Sequence, residues 1–269
     1  MATEITRNAL ANAHPAEVRE LIRLGKWRQP TAGLCQGHVQ ANLVILPRDL
    51  AYSFLLFAKQ NPKPCPLLEV TGPGSTEPVQ TAPSADLRQD LPRYRIYRHG
   101  QLEDEVTDLM SFWRGDLVSF LLGCSFTFEA AMLRAGVPVR HLEEEKNVPM
   151  YVTTRPCQPA GIFQGPLVVS MRPIPRPLIP RAVQATARFP AAHGGPVQVG
   201  NPASLGINDL GRPDFGDPVT IRPGEVPVFW ACGVTPQAVA MRAKPPLMIT
   251  HAPGHMFITD LEDEALAAY

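Results

Sequence analysis

Hydrophobic residues recur along the first third of the chain in short segments whose spacing alternates between helical and extended. Val18, Leu21 and Ile22 fall on one helical face, and Gly25 follows as a stop signal. A continuous apolar run that ends before Pro47 is typical of a buried strand, and a second helical pattern follows it. The pattern predicts helices over residues 16–24 and 50–59 and strands over 41–46, 67–70 and 94–98.

In the rest of the chain the pattern of apolar and polar residues changes twice. Residues 106–134 have a helical pattern, which predicts two helices broken near Gly115-Asp116, with Gly136 ending the second. From residue 226 the strand-then-helix pattern of the first third returns, with a helix start at Thr235-Pro236. Between and after these segments the pattern predicts strands over 150–153, 167–172, 226–229 and 247–250, a helix over 181–188 and extended backbone at 197–199.

Alternating strands and helices at both ends of the chain predict an α/β fold, a layered α/β sandwich with a second, smaller α+β lobe. Residues 1–145 together with 225–269 would form the main domain, and residues 146–224 the smaller lobe. The 30 prolines are spread through apolar contexts and not gathered in one tract. They therefore favour short strands and stiff loops over a disordered linker or a helical bundle.

Charge and cysteine usage restrict the function classes. The 25 basic side chains match the 25 acidic ones and form no run, which argues against nucleic-acid binding. No apolar segment approaches the ~20 residues that span a bilayer, and the first residues lack the apolar region of a secretory signal. The five cysteines are odd in number and scattered, as in a protein of a reducing compartment. We therefore expect a cytoplasmic protein without membrane or nucleic-acid partners.

The segment Gly123-Cys124-Ser125-Phe126 interrupts a nearly wholly apolar stretch. A break at Gly123 would start a helix near Cys124 and Ser125, where unpaired N–H groups could bind a carboxylate. In a continuous helix, Ser125 and Glu129 would share one face. The alternative is structural: Cys124 would be a small core residue and Ser125 would bond to its own backbone.

Polar groups that could transfer protons lie in three loops. Asp214 and Asp217 belong to a loop rich in Gly, Pro and acidic residues, where carboxylates could act as a general base or bind a hard divalent cation. Asp and Gly are also common turn formers, so a purely structural role fits equally well. An imidazole ordinarily titrates near neutral pH and could shuttle protons at His193 or His251, although a loop histidine is more often solvated or structural.

Two strand ends could bind substrate. Arg172 ends a buried strand, and its guanidinium suits bidentate carboxylate recognition unless it simply reaches solvent. Cys232 lies in a turn between a strand and a helix that Thr235 would cap, a place where α/β sheets commonly bind ligands. It could equally be a small residue at a tight turn.

Taken together, nine collinear segments resemble the D-glutamate cyclase family, whose bacterial members carry the name hydro-lyase. They are residues 40–43, 61–68, 123–129, 147–151, 168–173, 193–194, 213–217, 229–237 and 250–254. The resemblance implies a carbon–oxygen lyase that cyclises D-glutamate to 5-oxo-D-proline with loss of water, acting on a small carboxylic acid. It leaves open a hydro-lyase acting on another small hydroxy- or amino acid, and a non-catalytic protein that binds small carboxylates.

This reaction leads to a hypothesis for each candidate residue. Arg172 and N–H groups near Ser125 would hold carboxylates. Asp214, Asp217 or Glu129 would act as the base, and His193 or His251 would protonate the departing oxygen. Substrate contacts are expected from Cys124, Ser125, Asn147, Arg172, Cys232 and Thr235. The sequence establishes no cofactor, and it leaves open a divalent metal and a homo-oligomer.

Overall fold

Two antiparallel sheets with helices packed around them form the fold. The computed structural model describes residues 5–268, except for the side chains of Gln237 and Ala240. The strands are β1 His38–Pro47, β2 Leu67–Val70, β3 Tyr94–Arg98, β4 Gln101–Val106, β5 Leu117–Gly123, β6 Met150–Pro156, β7 Pro166–Pro175, β8 Gln198–Val199, β9 Glu225–Ala231, β10 Met248–His251 and β11 Phe257–Glu262. The α-helices are α1 Arg7–Leu10, α2 Pro15–Arg23, α3 Arg48–Gln60, α4 Phe126–Arg134, α5 Arg140–Glu143, α6 Ile179–Ala187 and α7 Thr235–Ala243.

The first sheet is built around β1. Its strand order is β2-β5-β1-β10-β3-β4, and β11 pairs with the first half of β1. The second sheet has the order β6-β7-β9-β8. Every pairing in both sheets is antiparallel, and no closed barrel forms within residues 5–268. The mixed α/β class predicted from the sequence is thus confirmed.

Both faces of β1 are buried. Successive side chains of a strand point to opposite sides of the sheet, so β1 contributes to an apolar cluster on each side. Val44 and Leu46 pack with Phe54 of α3 and Phe120 of β5 in one apolar cluster. Leu43 and Ile45 pack in another cluster on the opposite face. This explains why β1 reads as a continuous apolar run and not as an alternating strand.

The two helices predicted across residues 106–134 are wrong for most of their length. Residues 107–116 form turns and irregular backbone, and Leu117–Gly123 forms β5, which lies fully buried between β1 and β2. A short apolar run between Asp116 and Gly123 fits a buried strand and a buried helix equally well, so periodicity could not distinguish them. Of the two alternatives at Gly123, a break or a continuous helix, the structure has the break, and the predicted stop at Gly136 is confirmed, since α4 lies between the two glycines.

The last part of the chain divides between the two sheets. β9 at Glu225–Ala231 pairs with β7 and therefore lies in the second sheet, although the sequence had placed residues 225–269 with the first part of the chain. β10 and β11 do lie in the first sheet. No helix within residues 5–268 combines the length and apolar character needed to cross a bilayer.

Candidate functional site

Two strands, one from each sheet, end beside one cavity, and each continues through a cysteine into a helix. β5 leads through Cys124 into α4, and β9 leads through Cys232 into α7. Glycine is required next to each cysteine. A Cβ on Gly123 would lie 1.8 Å from the carbonyl oxygen of Ala191, and one on Gly233 would lie 2.0 Å from the side-chain nitrogen of Asn42. Gly123 therefore lets the end of β5 pack against the backbone at Ala191, and Gly233 lets the turn after β9 pack against the side chain of Asn42.

The space between these turns, here called the thiol cavity, has a volume of about 30 Å³. This is room for one or two water molecules. Its wall is formed by Asn42, Cys124, Ser125, Phe126, Asn147, Val148, Met150, Cys232, Gly233, Val234, His251, Gly254 and Met256. Among the described residues, no Asp, Glu, Lys or Arg side chain contributes to this wall.

Both thiols of the cavity are buried and stay protonated at neutral pH. Burial raises the pKa of Cys124 to about 12, and the backbone N–H of Phe126 offsets part of that rise. Burial likewise raises the pKa of Cys232 to about 11, offset in part by the N–H of Val234, by Arg172 and by the N–H of Gly233. N–H groups at the start of each helix therefore favour a thiolate if a proton leaves the sulfur.

His251 is also neutral. Burial lowers its pKa to about 4. The backbone N–H of Leu43 donates to its Nδ1 over 3.2 Å. The carbonyl oxygen of Leu43 also lies 3.4 Å from Nδ1. The shorter contact, with the N–H, favours an unprotonated Nδ1 and a ring proton on Nε2.

Two asparagines connect the cavity with its surroundings. Asn42 donates from its side-chain nitrogen to the carbonyl oxygen of Gly123 over 2.7 Å, which fixes the end of β5. Asn147 lines the thiol cavity and also two surface grooves of about 690 Å³ and 320 Å³. The thiol cavity therefore adjoins both grooves at Asn147.

A buried ion pair lies directly behind Ser125. Arg172 donates to Oε1 of Glu129 from Nη2 and, over 3.1 Å, from Nε. It also donates to the hydroxyl oxygens of Ser125 over 3.0 Å and Ser170 over 3.1 Å. Burial opposes the charge on Glu129, but His141 and Arg172 hold the pKa of Glu129 well below its usual range. Arg172 is thus fully engaged inside the protein and does not reach the cavity.

The remaining candidates lie outside the cavity wall. His193 is buried, and its Nδ1 contacts the carbonyl oxygen of Lys63. Asp214 is exposed and accepts from the N–H of Val152 over 2.7 Å. Asp217 lines both grooves and accepts from the N–H of Asn147 over 2.9 Å. The carboxylate of Asp214 thus holds its loop against β6, and that of Asp217 holds the loop against the segment at Asn147.

Thr235 serves the start of α7. Its hydroxyl donates to the carbonyl oxygen of Cys232 over 2.7 Å and accepts from the N–H of Val168 over 3.2 Å. It therefore joins the turn after β9 to β7 and holds Cys232 in place.

The structure brings together five of the eleven residues that the sequence singled out. They are Cys124, Ser125, Asn147, Cys232 and His251. Glu129 and Arg172 form the layer behind them. Sequence reasoning missed Asn42 and Gly233, and one signal could have found Asn42: an amide inside the apolar run of β1 needs a buried partner.

The donor set gives little support for a metal. Within residues 5–268, no three His, Cys, Asp or Glu side chains are arranged to hold an ion together. Asp214 and Asp217 lie along one groove, but each accepts a backbone N–H.

The protonated thiols lead to a first prediction. All five cysteines are unpaired and buried, and burial raises the pKa of each one. Since only the thiolate is alkylated, the native protein should react with iodoacetamide far more slowly at about pH 8 than the protein unfolded in guanidinium, where a thiol pKa is ~8.5. Mass spectrometry of the alkylated cysteines checks this. Fast labelling of native Cys124 or Cys232 would contradict the protonated state.

Comparison with known proteins gives consistent matches. The sequence pattern of the D-glutamate cyclase family matches residues 118–260. A protein of Stutzerimonas stutzeri named "Putative hydro-lyase" is 64% identical over 258 residues, which cover 96% of this chain and 97% of that protein. A Geobacillus kaustophilus protein that is also named as a hydro-lyase is 63% identical over 250 residues, which cover 93% of this chain and 95% of that protein. One from Bacillus subtilis is 61% identical over 253 residues, covering 94% and 98%.

Proposed function

Because the chain belongs to the D-glutamate cyclase family, we propose that it cyclises D-glutamate to 5-oxo-D-proline with loss of water. The reaction joins the amino nitrogen to the γ-carboxyl carbon and expels one carboxyl oxygen as water. Its main obstacle is protonation state. In water near neutral pH the amine is an unreactive ammonium and the carboxylate is a poor acceptor.

The observation that carries this proposal is the uncharged wall of the thiol cavity. Removal from water lowers the pKa of an ammonium and raises the pKa of a carboxyl group. A cavity lined by protonated thiols, amides and a neutral imidazole therefore favours the free amine and the carboxylic acid over the two ions. These are the forms that ring closure requires.

The two thiols can carry the protons of the reaction. When the amine attacks the γ-carboxyl carbon, a thiol donates its proton to the departing hydroxyl, which leaves as water. The resulting thiolate accepts the proton that the nitrogen loses, so the thiol is restored and the protons balance. N–H groups beside Cys124 and Cys232 would stabilise the transient thiolate.

The α-carboxylate needs a separate binding site, and the N–H groups at the start of α4 supply one. Ser125 precedes the helix without capping it, because its hydroxyl is bound by Arg172. The first N–H groups of a helix favour an anion, the more so when no side chain caps them. Arg172 would thus support this site from behind and not contact the substrate.

Substrate entry requires the thiol cavity to widen, since about 30 Å³ is less than an amino acid occupies. The adjoining grooves at Asn147 give a route from the surface. Closure around the bound substrate would then exclude water, which is needed to keep both reacting groups neutral.

The direct test is incubation of the purified protein with D-glutamate, followed by chiral chromatography for 5-oxo-D-proline. L-Glutamate and protein-free D-glutamate are the controls. We expect product from D-glutamate well above the spontaneous rate. If no product forms, with or without added divalent metal, the cyclase proposal fails. A rise in melting temperature with a different small acid would then point to another hydro-lyase substrate or to a binding role.

Cysteine variants test the proton-transfer step. Cys124→Ala and Cys232→Ala should each lower kcat by about 10²-fold or more, the usual loss on removing a general acid or base. Cys65→Ala is the matched control, because Cys65 is equally buried but packs in the apolar cluster around Phe54 and Phe57. Equal kcat values for all three variants would exclude the thiols from the reaction.

A further inference from the structure

A second concave site is lined by the residues of α4 that follow the thiol cavity. It is a cleft of about 390 Å³, within the size range of small-molecule sites. We call it the acceptor cleft, after the residues that give it its chemistry: Gln40, Phe126, Glu129, Leu133, Leu142 and Asp263. Neither the D-glutamate reaction nor the cysteine turns make use of it.

Gln40 lines this cleft, and its side-chain oxygen is buried and unsatisfied within the described part of the chain. Its side-chain nitrogen donates to the carbonyl oxygens of Thr31 over 2.9 Å and Leu34 over 3.1 Å. These two acceptors fix the orientation of the amide, so the oxygen must point the other way. Gln40 is only 4% exposed, and its Oε1 has no hydrogen-bond partner among the described residues. A buried acceptor in this state is stabilised by any donor that enters the cleft.

Two carboxyl groups add to the same wall. Asp263 is also 4% exposed; its Oδ1 is buried, and a hydrogen bond with the Thr127 side chain lowers the pKa of this carboxyl. Burial raises the pKa of Asp263 to about 7, so a neighbouring cation would favour its ionised form. On Glu129, the described hydrogen bonds all fall on Oε1. The cleft therefore offers acceptors from β1, α4 and the segment after β11.

The positive groups near the cleft do not cancel this pattern. Arg134 also lines the cleft and lowers the pKa of Asp263, while its Nη2 is paired with Glu264 over 2.9 Å. His38 also lines the cleft, and its buried Nδ1 has no hydrogen-bond partner among the described residues. Leu133, Leu142 and Phe126 give the cleft apolar walls. A ligand that fits must combine several N–H donors and a positive charge with a short apolar portion.

We propose that the acceptor cleft binds a small primary alkylammonium cation. The ammonium group donates to Gln40 Oε1 and to the carboxyl groups of Asp263 and Glu129. Its alkyl chain packs against Leu133 and Leu142. Inorganic anions and carboxylates are excluded, because the cleft would set their oxygens against three acceptors.

Binding in the cleft would reach the thiol cavity through two residues. Phe126 lines both spaces and forms the wall between them. Glu129 is paired with Arg172, which in turn binds the Ser125 hydroxyl at the cavity. An effect of cleft binding on the rate of D-glutamate turnover would rest on the proposed function. The binding itself does not depend on that function.

The experiment is isothermal titration calorimetry of the full chain with butylammonium chloride. Tetramethylammonium chloride is the matched ligand control, because it carries the same charge without an N–H donor. We expect saturable binding of butylammonium and none of tetramethylammonium over the same concentration range. Equal binding of the two cations, or no saturable binding of butylammonium, would overturn the proposal.

Variants then locate the site. Asp263→Asn keeps the side-chain shape and removes the negative charge, and should weaken butylammonium binding by about 10-fold. Leu133→Lys should abolish binding, because Leu133 is half exposed at the cleft and a lysine there supplies its own ammonium. Leu102→Lys is the matched surface control on β4 and should bind like the unmodified protein.

Unchanged affinity in both cleft variants, with melting temperatures equal to that of the unmodified protein, would refute the assigned site. Because no turnover is measured, this result is independent of the D-glutamate assay. Butylammonium binding without cyclase activity would leave the acceptor cleft standing and the proposed reaction refuted.

Discussion

Replacing Arg172 with methionine is expected to lower the free energy of unfolding by about 3–5 kcal/mol. The substitution removes every hydrogen bond that the guanidinium makes and leaves the buried Glu129 carboxylate with His141 as its remaining ion-pair partner. It also removes a cation 5.2 Å from the ring centre of Phe128 and 5.4 Å from that of Trp230. Urea denaturation followed by tryptophan fluorescence measures the loss.

The double variant Glu129→Gln with Arg172→Met provides the internal control. Removal of both charges eliminates the buried carboxylate that has lost its guanidinium, so this protein should be more stable than Arg172→Met alone. Arg114→Met is the external control, because Arg114 forms an exposed pair with Asp116 and should cost less than about 1 kcal/mol. If Arg172→Met lowered the free energy of unfolding by less than about 1 kcal/mol, the buried pair would not support the fold.

The pH dependence of the same variants has a definite sign. In the unmodified protein the pKa of Glu129 is depressed, so its ion pair stabilises the fold above the unfolded pKa of ~4.3. That stability is lost as the pH falls from there through the lower folded pKa. In Arg172→Met burial without the guanidinium raises the pKa of Glu129, so the destabilisation should shrink as the pH is lowered.

Gly123→Ala is expected to destabilise the protein by about 3 kcal/mol or more, near the upper end for overpacking. The added Cβ would lie 1.8 Å from the carbonyl oxygen of Ala191 and 2.9 Å from its carbonyl carbon. Both are backbone atoms, so no side-chain rotation relieves the contact. The end of β5 must therefore shift, and Cys124 moves with it. Thermal unfolding measures the change in stability.

Gly72→Ala is the matched control for this prediction. A Cβ at Gly72 would meet no atom within 4 Å, and its φ is not positive. Its effect should stay within about 0.5 kcal/mol. If the two alanine variants have equal stability, the close packing of β5 against the segment at Ala191 is not a constraint on the fold.

The cyclase proposal and the acceptor cleft share one helix. The N-terminus of α4 faces the thiol cavity through Ser125, and its first turns present Phe126 and Glu129 to the cleft. Any ligand that shifts α4 would change the position of Cys124 relative to Cys232. Butylammonium in the D-glutamate assay would measure this coupling once both binding and turnover are established.

Local elements of this fold could largely be read from the sequence. β2 and β3 have the predicted bounds, and β1, α2 and α3 differ by only a few residues. Their patterns are set by neighbours in the chain, such as the apolar face of α2 and the proline that separates β1 from α3. β5 was taken for a helix because an apolar run carries no period when both faces of a strand are buried.

The sequence by itself determined the family, the mixed α/β class and the end of α4 at Gly136, and it offered a break at Gly123 as one of two alternatives. It also marked the second cysteine turn at Cys232. Cys124 and Cys232 are separated by 108 positions in the sequence. Only the tertiary structure placed their two turns around one cavity, because contacts between β5, β9 and Asn42 are long-range. It likewise turned Arg172 inward to Glu129, since a buried cation requires a buried partner. Proximity and burial are properties of the folded chain, and no local pattern encodes them.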